Sequence, residues 1–189
     1  MQKQSAVSSQ PASGRKLQQA PDLPTQGRER VLNFLWRKIK IVLASVTRLR
    51  VRSVKYLPAF LWETFLSQRQ AARAPGFSGG RLLIDSGRTF WTLTVWENER
   101  AMKAFRGSSA HAKVMPSLVE WCDEAAYAHW TRPEADVPSW PEAYERLLGD
   151  ARLSHVAHPS SNHDARHFAK PRLKPLLGLD LKPAGSARP

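Results

Sequence analysis

The stretch TFWTLTVWENERAMKAFRGSSAHAKVMPSLVEWCDEAAYAHW, residues 89–130, decides the fold. It opens as a strand over 88–96, where Trp91, Leu93 and Val95 alternate with Phe90, Thr92, Thr94 and Trp96, the period of an extended chain. Neither set is clearly polar, so this strand is expected to be covered on both faces. Asn98 is a good N-cap for a helix carrying Ala101, Met102 and Phe105, and Gly107 is placed to close it. Ser108 or Ser109 can cap the next helical stretch, which runs through His111 and Met115 to Trp121. Pro116 should break or kink that helix, because proline cannot donate to the carbonyl four residues back. Residues 125–130, AAYAHW, make a short last strand.

Outward from this stretch the pattern completes itself. Residues 77–85 read as a strand joined to 88–96 by the compact turn Asp85–Ser86–Gly87. Gly79–Gly80 begins no phosphate loop and is read as a bulge. Pro58 suits the first turn of a helix in which Leu57, Leu61 and Phe65 form a stripe, flanked by Trp62 and Leu66 and ended by Pro75–Gly76. From Ser45, Thr47, Leu49, Val51 and Ser53 alternate with Arg48, Arg50 and Arg52, as in a half-exposed strand. The order β-α-β-β-α-β is the split βαβ arrangement, so residues 45–132 are expected to form an α+β, ferredoxin-like domain. A four-stranded sheet with helices on one face leaves the other uncovered, and pairing into a homodimer would bury it.

Length and charge bound the remainder. At 189 residues there is room for one core. The net charge of +13 is concentrated in residues 1–55, which carry 12 Lys/Arg against two acids; residues 56–132 carry nine against seven, and 133–189 eight against seven. The positive charge therefore lies outside the domain, and with no recognisable nucleic-acid module a nucleic-acid role is unlike this pattern. Residues 1–29, rich in Gln, Ser, Pro and Gly, are expected to be disordered. Residues 30–44 read as a basic amphipathic helix, with Val31, Leu32, Leu35, Trp36 and Ile39 at helical spacing. Residues 30–43 could lie on an anionic membrane surface or pack on the domain, and the second reading is preferred. No run reaches the ~18 apolar residues of a membrane span, and a single cysteine, Cys122, suits a reducing compartment. A cytoplasmic protein, peripheral to a membrane at most, is expected. After Pro133 a C-terminal extension (133–163) carries one helix, 140–148, announced by the capping box Ser139-x-x-Glu142, and it is expected to dock on the domain. Residues 164–189 are expected to be disordered.

The strand ending Val95–Trp96–Glu97, the helix with Ala101 and Phe105, and Ser109–Ala110–His111 resemble the antibiotic biosynthesis monooxygenase-like superfamily. Within it the chain is most similar to an uncharacterised family of small dimeric α/β-barrel proteins. Pro138–Ser139–Trp140 and His158–Pro159–Ser160 look like that family's C-terminal extension, so the resemblance spans roughly residues 45–163. It implies a dimeric α/β barrel and a small oxygenase-like enzyme acting on an apolar or aromatic substrate; the alternative is a non-catalytic ligand-binding or regulatory dimer. The haem-degrading branch resembles this chain at the Trp–Glu strand end. It has a tryptophan where Phe105 stands, its haem-ligating histidine falls near Met115, and a first-strand asparagine falls near Thr47. None of the three matches, so haem is disfavoured as a cofactor, and no motif requires another.

His111 is the candidate catalytic residue, an imidazole able to relay a proton near neutral pH. The bland alternative is a cap on the Ser109 turn or a hydrogen bond to a backbone carbonyl of the neighbouring strand; for a site, His129 on the last strand could be the partner of His111. Trp91, Trp96, Phe105 and Met115 are candidate substrate-binding residues for a flat apolar molecule, although most of the aromatics must be core. Arg50, central among Arg48, Arg50 and Arg52, could hold a carboxylate or phosphate, whereas a solvated outer face is the plainer account of at least two of the three. His163 and His167, at i and i+4, could share a metal only adventitiously.

Overall fold

A computed structural model describes residues 41–172 and 178–185. The expected N-terminal tail and positions 30–40 of the expected helix lie outside the described residues. In chain order the elements are β1 (Val42–Val51), α1 (Leu57–Arg73), β2 (Phe77–Asp85), β3 (Thr89–Trp96), α2 (Glu99–Arg106), α3 (Ser109–Trp121) and β4 (Cys122–Arg132). The C-terminal part adds α4 (Trp140–Asp150), β5 (Arg152–Leu153), the single turn α5 (Ser161–Asp164) and β6 (Gly178–Leu181). The strands form one antiparallel sheet in the order β5-β4-β1-β3-β2-β6. Its centre, β4-β1-β3-β2, is the ferredoxin-like sheet, and the extension contributes a short strand at each edge.

Local chemistry accounts for the boundaries. Asn98 caps α2 by accepting from the Ala101 N–H at 2.9 Å, and Gly107 closes that helix. Gly76, at the turn from α1 into β2, has φ +79°, and a Cβ there would stand 2.7 Å from the Ala101 Cβ. Both constraints select glycine. The register of β2 against β3 shifts between Phe77 and Gly79, which places the bulge at the expected glycines.

Three boundaries differ from expectation. β1 begins at Val42, so Val42–Ala44 are strand, held by ladders to β3 and β4 that the local pattern does not contain. β4 begins at Cys122, three residues before the expected start. α3 runs through Pro116 to Trp121 without a break.

The two faces of the sheet have different covers. Leu43, Ser45, Thr47, Leu49 and Val51 of β1 share a face with Phe90 and Trp96, against α1, α2 and α3. Ala44, Val46 and Arg48 share the other face with Trp91, Leu93, Ala126, Ala128 and Trp130. That second face is not left open. Ala143 and Leu147 of α4, both fully buried, lie on it together with Phe168. Trp130 Nε1 donates to Glu142 Oε1 at 3.2 Å and fixes the start of α4. Each buried side chain the size of Leu or Val contributes about 1.5–3 kcal/mol on leaving water, so α4 is an integral layer of the domain. Residues 164–172, expected to be disordered, include buried Phe168, and 178–181 pair with β2.

Candidate functional site

Between α1, α3 and the inner face of the sheet lies a cavity of about 590 Å³. Its sheet wall carries hydroxyls: Ser45 and Thr47 from β1, Thr92 and Thr94 from β3, and Tyr127 beside His129 from β4. Its helix wall carries Phe60, Ser67 and Ala71 from α1, and His111, Val114, Met115 and Leu118 from α3. Trp96, Met102, Phe105 and Arg106 also line it. Trp96 is stacked on Phe105 at 5.0 Å between centroids, and Phe105 lies 4.8 Å from the His111 ring. The lining is apolar with a few convergent polar groups, the usual composition of a small-molecule site.

The position of His111 depends on α1. No side chain of α3 caps that helix; Gln70 of α1 does, its Oε1 accepting from the His111 N–H at 2.9 Å. The same Gln70 amide donates to the carbonyls of Phe105 and Ser108 at 3.0 and 2.8 Å. One side chain thus ties α1 to the α2–α3 junction, where Ser109 takes a positive φ of 48°. On the His111 ring, Nδ1 is 3.3 Å from the Arg106 carbonyl oxygen. A carbonyl can only accept, so Nδ1 carries the proton in that contact and Nε2 keeps a free lone pair. Burial lowers the His111 pKa below its ordinary value, the Arg106 carbonyl opposes this, and the Arg106 charge adds to the lowering. The His129 pKa is also lowered, by burial first and then by the charges of Arg106 and Arg152. These two imidazoles, which share the cavity wall with His155, are therefore biased towards the neutral form.

The candidate residues divide between the faces. His111, Trp96, Phe105 and Met115 meet at the cavity. Trp91 does not: it is fully buried on the opposite face, 6.4 Å from Tyr144 of α4, because odd positions of β3 point away from α1, α2 and α3. Arg50 is likewise on the opposite face. Its Nε and Nη2 donate to Asp123 at 2.8 and 2.9 Å, and its Nη1 lies 2.9 Å from Glu124. The solvated arginine row is also corrected. Arg48 is 5% exposed and paired with buried Glu124, because the C-terminal segment covers this part of the sheet.

His163 is buried, with Nδ1 3.4 Å from the Ala125 N–H. Among the described residues no cluster of three or more His, Cys, Asp or Glu could hold a metal ion. Cys122 is buried, and its thiol is pushed up to about 12 by that burial and by Asp123, so it supplies no nucleophile near neutral pH. Among the described residues, no helix is long and apolar enough to cross a membrane.

In the sequence His129 is a weaker candidate than His111. The signal that marks it is parity: Thr92 and Thr94 interrupt an apolar strand on one side only, and that side faces the cavity. His129 shares its face with Ala125 and Tyr127, and stands opposite Ser45.

No curated protein matches the chain. Among solved structures, a conserved protein from Methanosarcina mazei Go1 is 13% identical, with a TM-score of 0.45 over 50% of this chain and 96% of that one. A provisionally named antibiotic biosynthesis monooxygenase from Nitrosomonas europaea is 14% identical, with a TM-score of 0.43 over 49% and 89%. SnoaB, a cofactor-independent oxygenase from Streptomyces nogalater, is 16% identical, with a TM-score of 0.41 over 49% and 94%. Residues 48–162, more than half of the sequence and the span that builds both faces of the sheet, match one family throughout, and the chain belongs to it: the domain of unknown function DUF3291.

Proposed function

We propose that this protein is a small oxygenase-like enzyme acting on an apolar or aromatic molecule held between the helices and the sheet. The observation that carries the reading is the pair of neutral-biased imidazoles, His111 and His129, on the wall of an apolar cavity. A neutral imidazole can take a proton from an acidic O–H or C–H of the substrate. Nε2 of His111 is the acceptor, since Nδ1 is engaged with Arg106. The proton passes to Nε2 and leaves an electron-rich substrate anion. That anion gives one electron to dioxygen, and the resulting substrate radical and superoxide combine to form the C–O bond. The peroxide anion takes the proton back from the imidazolium, so substrate plus dioxygen becomes a hydroperoxide with no atom or electron unassigned. The charge of Arg106, a residue that lines the same cavity, favours the anion and disfavours a charged imidazole. The resemblance of residues 89–130 to oxygenases supports the reaction class.

The test uses 1-naphthol as an aromatic probe with an ionisable hydroxyl. The full chain should bind it saturably, by fluorescence, and consume dioxygen in its presence. His111→Gln should abolish the oxygen uptake while binding persists within a few-fold. Saturable binding with no oxygen uptake by the unaltered protein, for this and other hydroxylated aromatics, would favour the ligand-binding alternative and overturn the enzyme reading.

A further inference from the structure

We infer that a second pocket, on the opposite face of the sheet, binds a small doubly charged oxyanion of the phosphate or dicarboxylate class. This pocket, about 240 Å³, is walled on one side by Arg48, Arg50, Thr89 and Glu124. The C-terminal segment contributes Lys170 and Arg172 on the other. It shares no residue with the cavity of His111, so neither proposal depends on the other.

The buried wall is built rather than incidental. Arg48 is 5% exposed and its guanidinium lies between the rings of Trp91 and Phe168, 5.6 and 5.5 Å from their centroids. One end of it meets Glu124, but its Nε is buried with no hydrogen-bond partner. An orphaned donor on a buried cation is costly, and the buried guanidinium keeps its charge at the wall of the pocket that Arg48 lines. The carboxylates of the wall are already occupied. Glu124 receives Arg48, Arg50 and the Ser160 hydroxyl, and Asp85 receives the backbone N–H groups of Ser86 and Arg172.

At the mouth the balance is different. Lys170 and Arg172 are exposed, and among the described residues no carboxylate pairs with either side chain. The lining therefore holds four Lys or Arg against two carboxylates. Arginine and lysine together suit an oxyanion, the first through its planar donor fork and the second as a mobile point charge.

The test is titration of the full chain, in a buffer free of oxyanions, with inorganic phosphate and separately with malonate, read by calorimetry. Chloride at matched ionic strength is the control. One anion should bind at one site per chain and raise the melting temperature, and the preferred anion identifies the class. The doubly substituted Lys170→Gln, Arg172→Gln chain changes only exposed side chains, so it should fold normally and bind at least ten-fold more weakly. Arg48→Lys, which keeps a charge opposite Glu124, should also weaken binding. The inference is overturned by heats indistinguishable from chloride, or by binding that the double substitution leaves unchanged. Oxygen uptake with 1-naphthol should be the same in the double variant as in the unaltered protein.

Discussion

At the residue scale, two groups carry quantitative expectations. Burial depresses the pKa of His111 and His129 in the folded protein, while the unfolded chain titrates near the ordinary value of about 6.5. The unfolded state then binds more protons as pH falls below that value. The stability these two neutral imidazoles support is present above about pH 6.5 and is lost as pH falls through their lower folded values. Replacing both with Gln should flatten the dependence of melting temperature on pH between 7 and 5, and a curve as steep as the parent's would contradict the assignment. Glu124 is the second group. It is 1% exposed and balances Arg48 and Arg50 at once. Glu124→Gln leaves a buried cation without its counter-charge, a change expected to cost about 3–5 kcal/mol. Urea unfolding measures it, and a cost below about 1 kcal/mol would mean that water reaches Arg48.

At the element scale, the phase of α1 is the main difference between pattern and packing. Leu61 and Phe65, read as part of one stripe, and Trp62 beside it are 45%, 44% and 59% exposed. The buried side carries Phe60 and Ala71, with Ser67 between them on the cavity wall. Helical spacing shows which residues share a face, and here two faces are apolar enough to compete. What orients the helix is Gln70, which caps α3 from outside. Gln70→Ala removes the acceptor of the His111 N–H and three donated contacts to the α2–α3 junction. It should cost about 1–2 kcal/mol, in the range of a lost helix cap. The His111 imidazole resonances should also shift by NMR, while a Ser109→Gly substitution at the strained position should leave them nearly in place. Unmoved imidazole signals in the Gln70 variant would show that α3 holds His111 by itself.

At the scale of the whole molecule, α4 changes what assembly has to accomplish. The homodimer expected from the sequence rested on an uncovered sheet face, and that face carries Ala143, Leu147 and Phe168 of the same chain. A dimeric barrel, which the resemblance implies, is therefore a proposal whose interface lies outside the area α4 covers. Leu147→Asp places a charge against Trp91, Leu93 and Ala128. It should lower the melting temperature by more than 10 °C, as expected for a loss of several kcal/mol in a domain of this size. Sedimentation then separates the two roles of that face. If α4 only completes the protomer, the folded fraction of the variant keeps the parent's mass. A parent dimer that becomes a folded monomer would instead assign the interface to α4.

The sequence by itself determined the order of elements, the turn glycines, the Asn98 and Ser139 caps and the ferredoxin-like arrangement. Each of these rests on interactions spanning a few residues: backbone dihedrals, a capping side chain, the alternation of a strand. It offered His111, Trp96, Phe105 and Met115 as candidates alongside Trp91 and Arg50, without saying which of them share a face. Only the tertiary structure decided that Trp91 and Arg50 belong to the opposite face, that His129 joins His111, and that Arg48 is buried beneath residues near Phe168. Period two separates a strand's faces without saying which one meets the helices. That choice is made by ladders joining residues dozens of positions apart, such as Arg48 with Trp91 and Ala126, and by an extension whose docking no local pattern contains.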